Sequence, residues 1–304
     1  MRALITGSRG FVGKHLAMEL SANGYSVYGI DLTEDENTAF VNLLDRQAVK
    51  EYIRRIRPDA LFHLAAQAAI PLSWKEPQTT YELNVIGTIN LLEAVCEEKR
   101  TCRIVIIGSS EQYGVLQELN PISEEIALRP RNPYAASKKA QEEIASVYGN
   151  SHSLDICFTR SFNHSGPGQK LGFLIPDLCS GIVRVEQNKD NCLQVGNLES
   201  VRDFTDVRDI ARAYRLIYEK GIKGEKYNVG TGTGRKAKDI LNILLSMTCR
   251  EIPVQPAQER MRVSDTPVLV CDNTKLKSHT GWTPLIPFEQ TLRDTLEYYR
   301  GMKY

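Results

Sequence analysis

The residue types best suited to acid–base chemistry lie between positions 108 and 138. Tyr134 and Lys138 are four residues apart and follow Pro133, a residue favoured in the first turn of a helix. On a helix, this spacing places both side chains on one face. A nearby ammonium group stabilises a phenolate, so we expect the pKa of Tyr134 to lie below its usual value of about 10. Such a tyrosine could exchange a proton with a substrate oxygen; the alternative is an ordinary surface pair on an amphipathic helix.

Three polar residues, Ser109, Ser110 and Glu111, come directly after an apolar segment of the chain. Residues 103–107 are rich in Ile and Val and end at Gly108, which predicts a buried parallel strand. Open α/β sheets bind their ligands at the carboxyl ends of their strands. We therefore predict that these three side chains lie in the same catalytic site as Tyr134.

A glycine-rich segment near the start of the chain predicts a dinucleotide site. Gly7, Gly10 and Gly13 lie between a predicted strand and a predicted helix. Glycines in this context allow a tight turn and let backbone N–H groups approach a pyrophosphate. Asp31 ends the next strand, 18 residues after Gly13, close to the distance expected for an acid that binds the adenosine ribose. Asp31 should repel the extra phosphate of NADP(H) and Arg9 should attract it, so the predicted cofactor is NAD(H) or NADP(H).

Strands and helices are predicted to alternate through the first half of the chain. Strands are expected at 2–6, 26–30, 60–64, 103–107 and 154–160, and helices at 11–23, 46–57, 81–99 and 133–149. This alternation predicts an α/β fold with a doubly wound parallel (Rossmann) sheet. The alternation weakens after residue 164. We predict a dinucleotide-binding Rossmann domain and a smaller substrate-binding region, formed respectively by residues 1–164 with 205–232 and by residues 165–204 with 233–304.

The overall composition argues against several kinds of partner. The 304 residues carry a net charge of +1, which gives no general attraction to nucleic acid or to anionic membranes. No apolar run reaches the roughly 18 residues needed to cross a bilayer. A predicted strand begins directly after Met1, so we expect no signal peptide. The seven cysteines are scattered and the five histidines show no ligand spacing. We therefore expect a cytoplasmic protein with reduced thiols and no bound metal.

The motifs, read in order, resemble those of the extended short-chain dehydrogenase/reductases that act on nucleotide sugars, the NAD-dependent epimerase/dehydratase family. The resemblance extends over essentially the whole chain. It rests on TGxxGxxG at 6–13, HLAA at 63–66, Asn84, GSSE at 108–111, YxxxK at 134–138, NHSGPGQ at 163–169, VRDFTDVRD at 201–209 and YNVG at 227–230.

This resemblance implies a role for individual residues. Tyr134 corresponds to the catalytic acid/base, Lys138 to the residue that binds the nicotinamide ribose, and Ser109 to the residue that binds the sugar 4-oxygen. Cofactor contacts are implied for Gly7, Gly10, Phe11, Val12, Gly13, Asp31, Leu43, Leu64, Ala65, Ala66, Asn84, Tyr134 and Lys138. Substrate contacts are implied for Ser109, Glu111, Asn163, Asn197, Arg202 and Arg262.

The two arginines each have an alternative interpretation. Arg202 resembles the residue that grips the diphosphate of the substrate, a role that suits a planar guanidinium, but it could instead pair with Asp203 or Asp206. Arg262 lies in a segment that departs from the family pattern, so surface pairing is as well supported as substrate contact.

Within the family, the chain is most similar to the reductases of GDP-linked 4-keto-6-deoxyhexoses. The dehydratases usually have Glu-Ser-Pro and two arginines where this chain has residues 165–169, and a threonine at the position of Ser109. The implied reaction converts GDP-4-dehydro-6-deoxy-D-mannose to GDP-D-rhamnose. Glu111 matches a dehydratase glutamate, so a GDP-mannose 4,6-dehydratase stays open, as do a 4-epimerase and a cofactor-sensing Rossmann protein. The helices at 81–99 and 133–149 resemble those that form homodimers in the family.

Overall fold

A computed structural model describes residues 1–98, 101–114, 121–257 and 267–302. Its strands, in chain order, are β1 Arg2–Thr6, β2 Ser26–Asp31, β3 Thr38–Phe40, β4 Ala60–His63, β5 Arg103–Ser109, β6 Asp155–Ser161, β7 Asn163–Ser165, β8 Leu193–Val195, β9 Val201–Asp206, β10 Lys226–Val229, β11 Gly234–Lys236, β12 Val254–Pro256 and β13 Val268–Leu269. Its helices are α1 Phe11–Ala22, α2 Arg46–Ile56, α3 Ile70–Lys75, α4 Pro77–Tyr81, α5 Gly87–Glu97, α6 Pro133–Ser151, α7 Leu174–Glu186, α8 Val207–Lys220, α9 Ala237–Ser246, α10 Thr274–Thr280 and α11 Phe288–Arg300.

The main sheet has seven strands in the order β10-β6-β5-β4-β1-β2-β3. Every neighbouring pair in it is parallel. Apolar side chains of α1 and α8 cover one face, and those of α2 and α5 cover the other. The predicted doubly wound α/β fold is therefore confirmed. The winding reverses between β1 and β4, which opens a crevice at the carboxyl ends of these strands.

Two details of this half differ from the sequence prediction. Edge strand β3 was not predicted, because three residues are too few to establish an alternating pattern. The helix expected at 81–99 begins earlier, at Pro77, and includes a π-helical segment at Glu82–Ile86 before α5. The first turn, Pro77–Tyr81, lacks apolar periodicity and was missed for that reason. Position 99 lies outside the described residues.

A second, smaller sheet forms around β9. Strand β9 pairs with β11, β13 and β7, and Phe204 on β9 packs into an apolar cluster with α7, α9 and α11. Polar residues dominate β9, so its strand character was not visible in the sequence. The predicted boundaries at 164–165 and 204–205 fall within β7 and β9, so the division into two regions stays a prediction. Among the described residues, no helix combines the length and apolar character required to cross a membrane.

Candidate active site

The glycine loop lies at the carboxyl end of β1, against the segment that follows β4. Gly7 has a positive φ of +70°, and a Cβ there would lie 2.9 Å from the backbone N and Cα of Ala65. A Cβ on Gly13 would lie 2.3 Å from the Gly7 oxygen. Only glycine permits these close approaches. No side chain caps α1, whose N-cap is Gly10, so this loop fits a dinucleotide pyrophosphate at the helix N-terminus.

Asp31 ends β2 beside the same loop. One carboxylate oxygen accepts a hydrogen bond from the Arg9 backbone N at 3.0 Å, and the other accepts from the Leu32 N at 2.7 Å. A carboxylate oxygen can accept more than one hydrogen bond. Asp31 therefore keeps acceptor capacity for ribose hydroxyls while it fixes the position of the loop.

Ser109 and Tyr134 come together at the carboxyl end of β5. Ser109 ends β5, and Tyr134 lies in the first turn of α6, where the side chain of Asn132 accepts a hydrogen bond from the Ala135 N at 2.7 Å. Both residues are only 9% exposed, and the Ser109 hydroxyl lies close enough to Tyr134 to lower the pKa of that tyrosine in part. The two residues, 25 positions apart in the chain, thus form one site.

The pKa of Tyr134 contradicts our expectation from the sequence. Burial raises it to about 12, and a hydrogen bond with Ser109 offsets this only in part. Glu111, a nearby acid, raises it further. The expected lowering by Lys138 does not occur, because desolvation of the phenolate is the dominant effect on this pKa. Tyr134 is consequently protonated at neutral pH.

Lys138 is almost fully buried, with 3% of its surface exposed. Its Nζ donates hydrogen bonds to the Ile107 carbonyl at 2.7 Å and to Gln141 Oε1 at 2.8 Å. These contacts attach α6 to β5 directly beneath Ser109. Burial lowers the pKa of Lys138 to about 7, since neither contact supplies a negative charge.

A buried chain of hydrogen bonds continues from Gln141 to β1. The Thr88 hydroxyl donates its single hydrogen to the Asn84 carbonyl, so it accepts from both Gln141 Nε2 and His63 Nε2, each at 2.8 Å. Burial lowers the pKa of His63 to about 3, so the ring is neutral. With Nε2 protonated, Nδ1 accepts the hydrogen of the Thr6 hydroxyl at 2.7 Å. These hydrogen bonds connect Lys138 to β1 through buried side chains.

Sequence reasoning missed the contribution of Gln141 and Thr88. Gln141 lies three residues after Lys138, a helical spacing that permits side-chain contact. That spacing was the only local signal. The contacts with Thr88 and His63 join positions more than 20 residues apart and needed the tertiary structure.

Asn84, a predicted cofactor contact, is buried and hydrogen-bonded within the protein. Its amide nitrogen donates to Ser137 Oγ at 2.9 Å and to the Gln67 carbonyl at 3.1 Å, and its oxygen accepts from the Gln67 N at 2.8 Å. Both of its donor hydrogens are used within the protein. Asn84 attaches the segment after Ala66 to α6. Its predicted effect on cofactor binding would therefore come from holding that segment in place. Leu43, another predicted contact, is buried and packs beside Gly87.

Glu111 is linked to the helix that carries Tyr134. One of its carboxylate oxygens accepts a hydrogen bond from Asn132 Nδ2 at 3.3 Å, and Asn132 is also the N-cap of α6. Ser110 is buried. The three polar residues predicted after β5 thus lie together at the start of α6.

A buried ion pair holds the segment after Ser109 in place. Gln112 accepts from the Ser109 N at 2.8 Å and donates to Glu142 at 3.1 Å. Glu142 is bound by both Nε and Nη2 of Arg160, at 3.0 and 2.6 Å. Removing one member of a buried pair leaves an uncompensated charge, so this pair strongly constrains the geometry of the site.

Three of the residues predicted to contact the substrate, Asn163, Asn197 and Arg202, lie on or between strands β7, β8 and β9. Asn163 on β7 pairs with β9, which carries Arg202. The Arg202 guanidinium donates to the Val201 carbonyl at 2.9 Å, and Asn197 accepts from the Glu199 N at 2.9 Å. Arg262 lies outside the described residues. Within the described part of the chain, no cluster of acidic, His or Cys side chains could hold a metal ion.

The two aspartates considered as alternative partners for Arg202 have other contacts. Asp203 is buried and accepts hydrogen bonds from Thr231, from the Gly232 N and from the Cys271 N. Asp206 is bound by Arg208 through two hydrogen bonds and by Thr291.

A crevice of this kind, with an uncapped helix beside it and a buried Ser–Tyr–Lys arrangement, is typical of an NAD(P)-dependent short-chain dehydrogenase/reductase of the extended class. The family can be stated more closely. The chain belongs to the family described as GDP-mannose 4,6 dehydratase, whose model matches residues 4–295. The resemblance recognised in the sequence is thereby confirmed, and with it the expectation of an NAD(P)-dependent enzyme.

Relatives match nearly the whole chain. The GDP-6-deoxy-D-mannose reductase of Pseudomonas aeruginosa is 33% identical over 97% of this chain and 96% of its own length. The structure of RMD from Pseudomonas aeruginosa complexed with NADPH has a TM-score of 0.90 at 32% identity and covers 98% of both chains. The UDP-glucose 4-epimerase of Thermus thermophilus complexed with NAD has a TM-score of 0.89 at 30% identity and covers 99% of both. Since one fold serves both activities, the reaction must be argued from the site.

Proposed function

We propose that this protein is a reductase that converts GDP-4-dehydro-6-deoxy-D-mannose to GDP-D-rhamnose. NAD(P)H, when bound at the glycine loop, supplies the hydride for C4. Tyr134 donates a proton to the 4-oxygen, and the Ser109 hydroxyl binds that oxygen as negative charge develops on it. In this proposal Lys138, which is buried and bonded to Ile107 and Gln141, binds the nicotinamide ribose.

The observation that carries this proposal is the grouping of Ser109 and Tyr134 beside buried Lys138 at the carboxyl end of β5, in a chain that is 33% identical to a GDP-6-deoxy-D-mannose reductase. A reductase needs a proton donor at the start of its reaction, and the pKa of about 12 keeps Tyr134 protonated at neutral pH. A developing alkoxide is a strong enough base to take that proton.

The recognition of the substrate is assigned to the region around β9. We place the diphosphate at Arg202 and Arg262, and the sugar near Asn163, Asn197 and Ser109. A guanidinium can bind phosphate oxygens in a bidentate manner. In this proposal, residues 165–204 with 233–304 form the substrate-binding region and the rest of the chain forms the dinucleotide-binding domain.

The decisive experiment measures reduced nicotinamide in the presence of the 4-keto sugar nucleotide. We expect NADH or NADPH to be consumed in equal amount to GDP-4-dehydro-6-deoxy-D-mannose, and NMR of the product to show the rhamno configuration at C4. The same panel with dTDP- and UDP-linked 4-keto-6-deoxy sugars tests the base. Absence of turnover with every keto sugar would reject the reductase assignment.

A GDP-mannose 4,6-dehydratase is the second candidate, because Glu111 lies in the site and is held by Asn132 at 3.3 Å. Dehydration requires a carboxylate near the sugar ring to move a proton. Formation of a 4-keto-6-deoxy sugar from GDP-mannose without added cofactor would favour it over the reductase. Interconversion of C4 epimers without net use of cofactor would indicate an epimerase, and cofactor binding with no turnover at all would indicate a sensor.

We also propose that the protein is a cytoplasmic homodimer. Its seven cysteines are free thiols, which suits a reducing compartment. Tyr81 and Ile86, on the helical stretch before α5, and Val147 on α6 are exposed apolar side chains, and burying them against a second copy would stabilise a dimer. Light scattering of the wild type and of Val147→Glu tests this; a monomeric wild type would contradict it.

A further inference from the structure

Arg9 is the cation of the glycine loop, and its guanidinium forms an ion pair with Asp35. Its backbone N donates to Asp31, the acid expected to bind the adenosine ribose. The side chain of Arg9 therefore lies beside the position where the 2′-phosphate of NADPH would bind. Its Nε is buried and has no hydrogen-bond acceptor among the described residues, so Arg9 can still donate to a further acceptor.

Asp35 is held in a defined position by the loop before β3. Its second carboxylate oxygen accepts from the Asn37 N at 3.0 Å, and its backbone N donates to the Thr38 carbonyl at 3.0 Å. The Thr38 hydroxyl is hydrogen-bonded to Ser8 Oγ at 3.0 Å, which ties this loop to the glycine loop. The hydrogen bond with Arg9 lowers the pKa of Asp35 below its usual value, so its carboxylate is charged at neutral pH.

The charges around this position are strongly unbalanced. Asp31, Glu34, Asp35 and Glu36 lie within six residues of the chain, and Arg9 is the cation paired to one of them. A 2′-phosphate would bring further negative charge to this place, and Arg9 would attract it less strongly because its charge is already partly neutralised by Asp35. A ribose 2′-hydroxyl meets no such repulsion and can donate to Asp31.

We infer that this protein binds NADH in preference to NADPH, and that Asp35 sets the preference by occupying Arg9. Asp35 is a specificity-determining residue that need not touch the cofactor. The inference rests on the dinucleotide-binding part of the proposed function and not on the identity of the sugar. Relatives complexed with NADPH and with NAD are both known, so the family alone does not decide the preference.

The test measures dissociation constants of NADH and NADPH for the full-length protein by nicotinamide fluorescence, without any sugar nucleotide. We expect the wild type to bind NADH about tenfold or more tightly than NADPH, because one uncompensated charge near a phosphate has an effect of this order. Asp35→Asn, which retains the acceptor for Asn37, should tighten NADPH binding about fivefold and leave NADH binding unchanged.

Two further variants distinguish the effect of the Arg9–Asp35 ion pair from the effect of negative charge anywhere in the loop. Glu34→Gln removes one negative charge from the same loop but leaves Arg9 and Asp35 paired, so it should tighten NADPH binding by less than about twofold. Adding Arg9→Met to Asp35→Asn should abolish the gain in NADPH affinity. A wild type that prefers NADPH, an Asp35→Asn variant with unaltered NADPH binding, or an equal gain from Glu34→Gln would each overturn the inference. Since no sugar is used, these results are independent of whether the keto-sugar assay succeeds.

Discussion

The surroundings of Lys138 and those of Arg202 differ in how their polar side chains are held. Lys138 is buried, and a continuous chain of hydrogen bonds connects it through Gln141 and Thr88 to His63 on the central sheet. Arg202 is half-buried on β9 and donates to the Val201 carbonyl. Lys138 thus lies within the packed interior, whereas Arg202 keeps access to solvent.

This difference matches two separate tasks. Proton and hydride transfer require reacting atoms to be held within a narrow geometry, so supporting hydrogen bonds raise the rate. Binding of a flexible diphosphate tolerates small displacements and benefits from a charged group that can move to it. Substitutions near Lys138 should therefore mainly change kcat, and substitutions near Arg202 should mainly change KM.

The largest effect is expected from removal of the proton donor. Tyr134→Phe should lower kcat about a thousandfold, because loss of a general acid has an effect of this order, while NADH binding should stay near the wild-type value. Steady-state rates with the 4-keto sugar nucleotide and fluorescence titration with NADH measure the two quantities. Tyr148→Phe, on the same helix, is the matched control. A Tyr134→Phe enzyme within tenfold of the wild type would refute the assignment.

A smaller and different effect is expected from Arg202→Lys. It keeps the charge but loses the planar guanidinium, so KM for the GDP-sugar should rise about tenfold with kcat changed by less than about threefold. Arg184→Lys on α7, where the arginine binds Asp190, is the control. If kcat falls and KM is unchanged, Arg202 acts on the chemical step and not on substrate binding, which would contradict this prediction.

The smallest effect concerns stability and pH. The pKa of Lys138 is lowered from 10.5 to about 7 by burial, so between these values the unfolded chain binds one proton more than the native protein. The free energy of unfolding therefore gains a rising contribution as pH increases from 7 to 10.5. Lys138→Met lacks this contribution.

Thermal melting of both proteins without cofactor tests the linkage. The melting temperature of the wild type should rise by about 2 °C or more relative to Lys138→Met between pH 7 and pH 10. If the melting temperatures of the two proteins change with pH in the same way, Lys138 is not desolvated, contrary to what the structure indicates.

The fold class and the elements that carry the candidate site could be predicted from the sequence. Gly7, Gly10 and Gly13, the apolar run before Gly108, and the spacing of Tyr134 and Lys138 are local patterns, and each reports the backbone geometry of its own element. Alternating strands and helices then require a parallel sheet, whose carboxyl edge collects the loops that follow its strands. The confirmed fold class followed from these features, and the family was recognised from the same motifs.

The remaining features depended on contacts between distant positions. Desolvation raises the pKa of Tyr134 instead of lowering it, and desolvation depends on which segments surround a side chain in space. The Thr6–His63–Thr88–Gln141 chain and the pairing of Arg9 with Asp35 join residues from separate elements, so no spacing within one element indicates them. The sequence by itself determined which chemical groups are present and on which elements they lie. Only the tertiary structure decided their protonation and their partners, because burial and hydrogen bonding are properties of the packed chain.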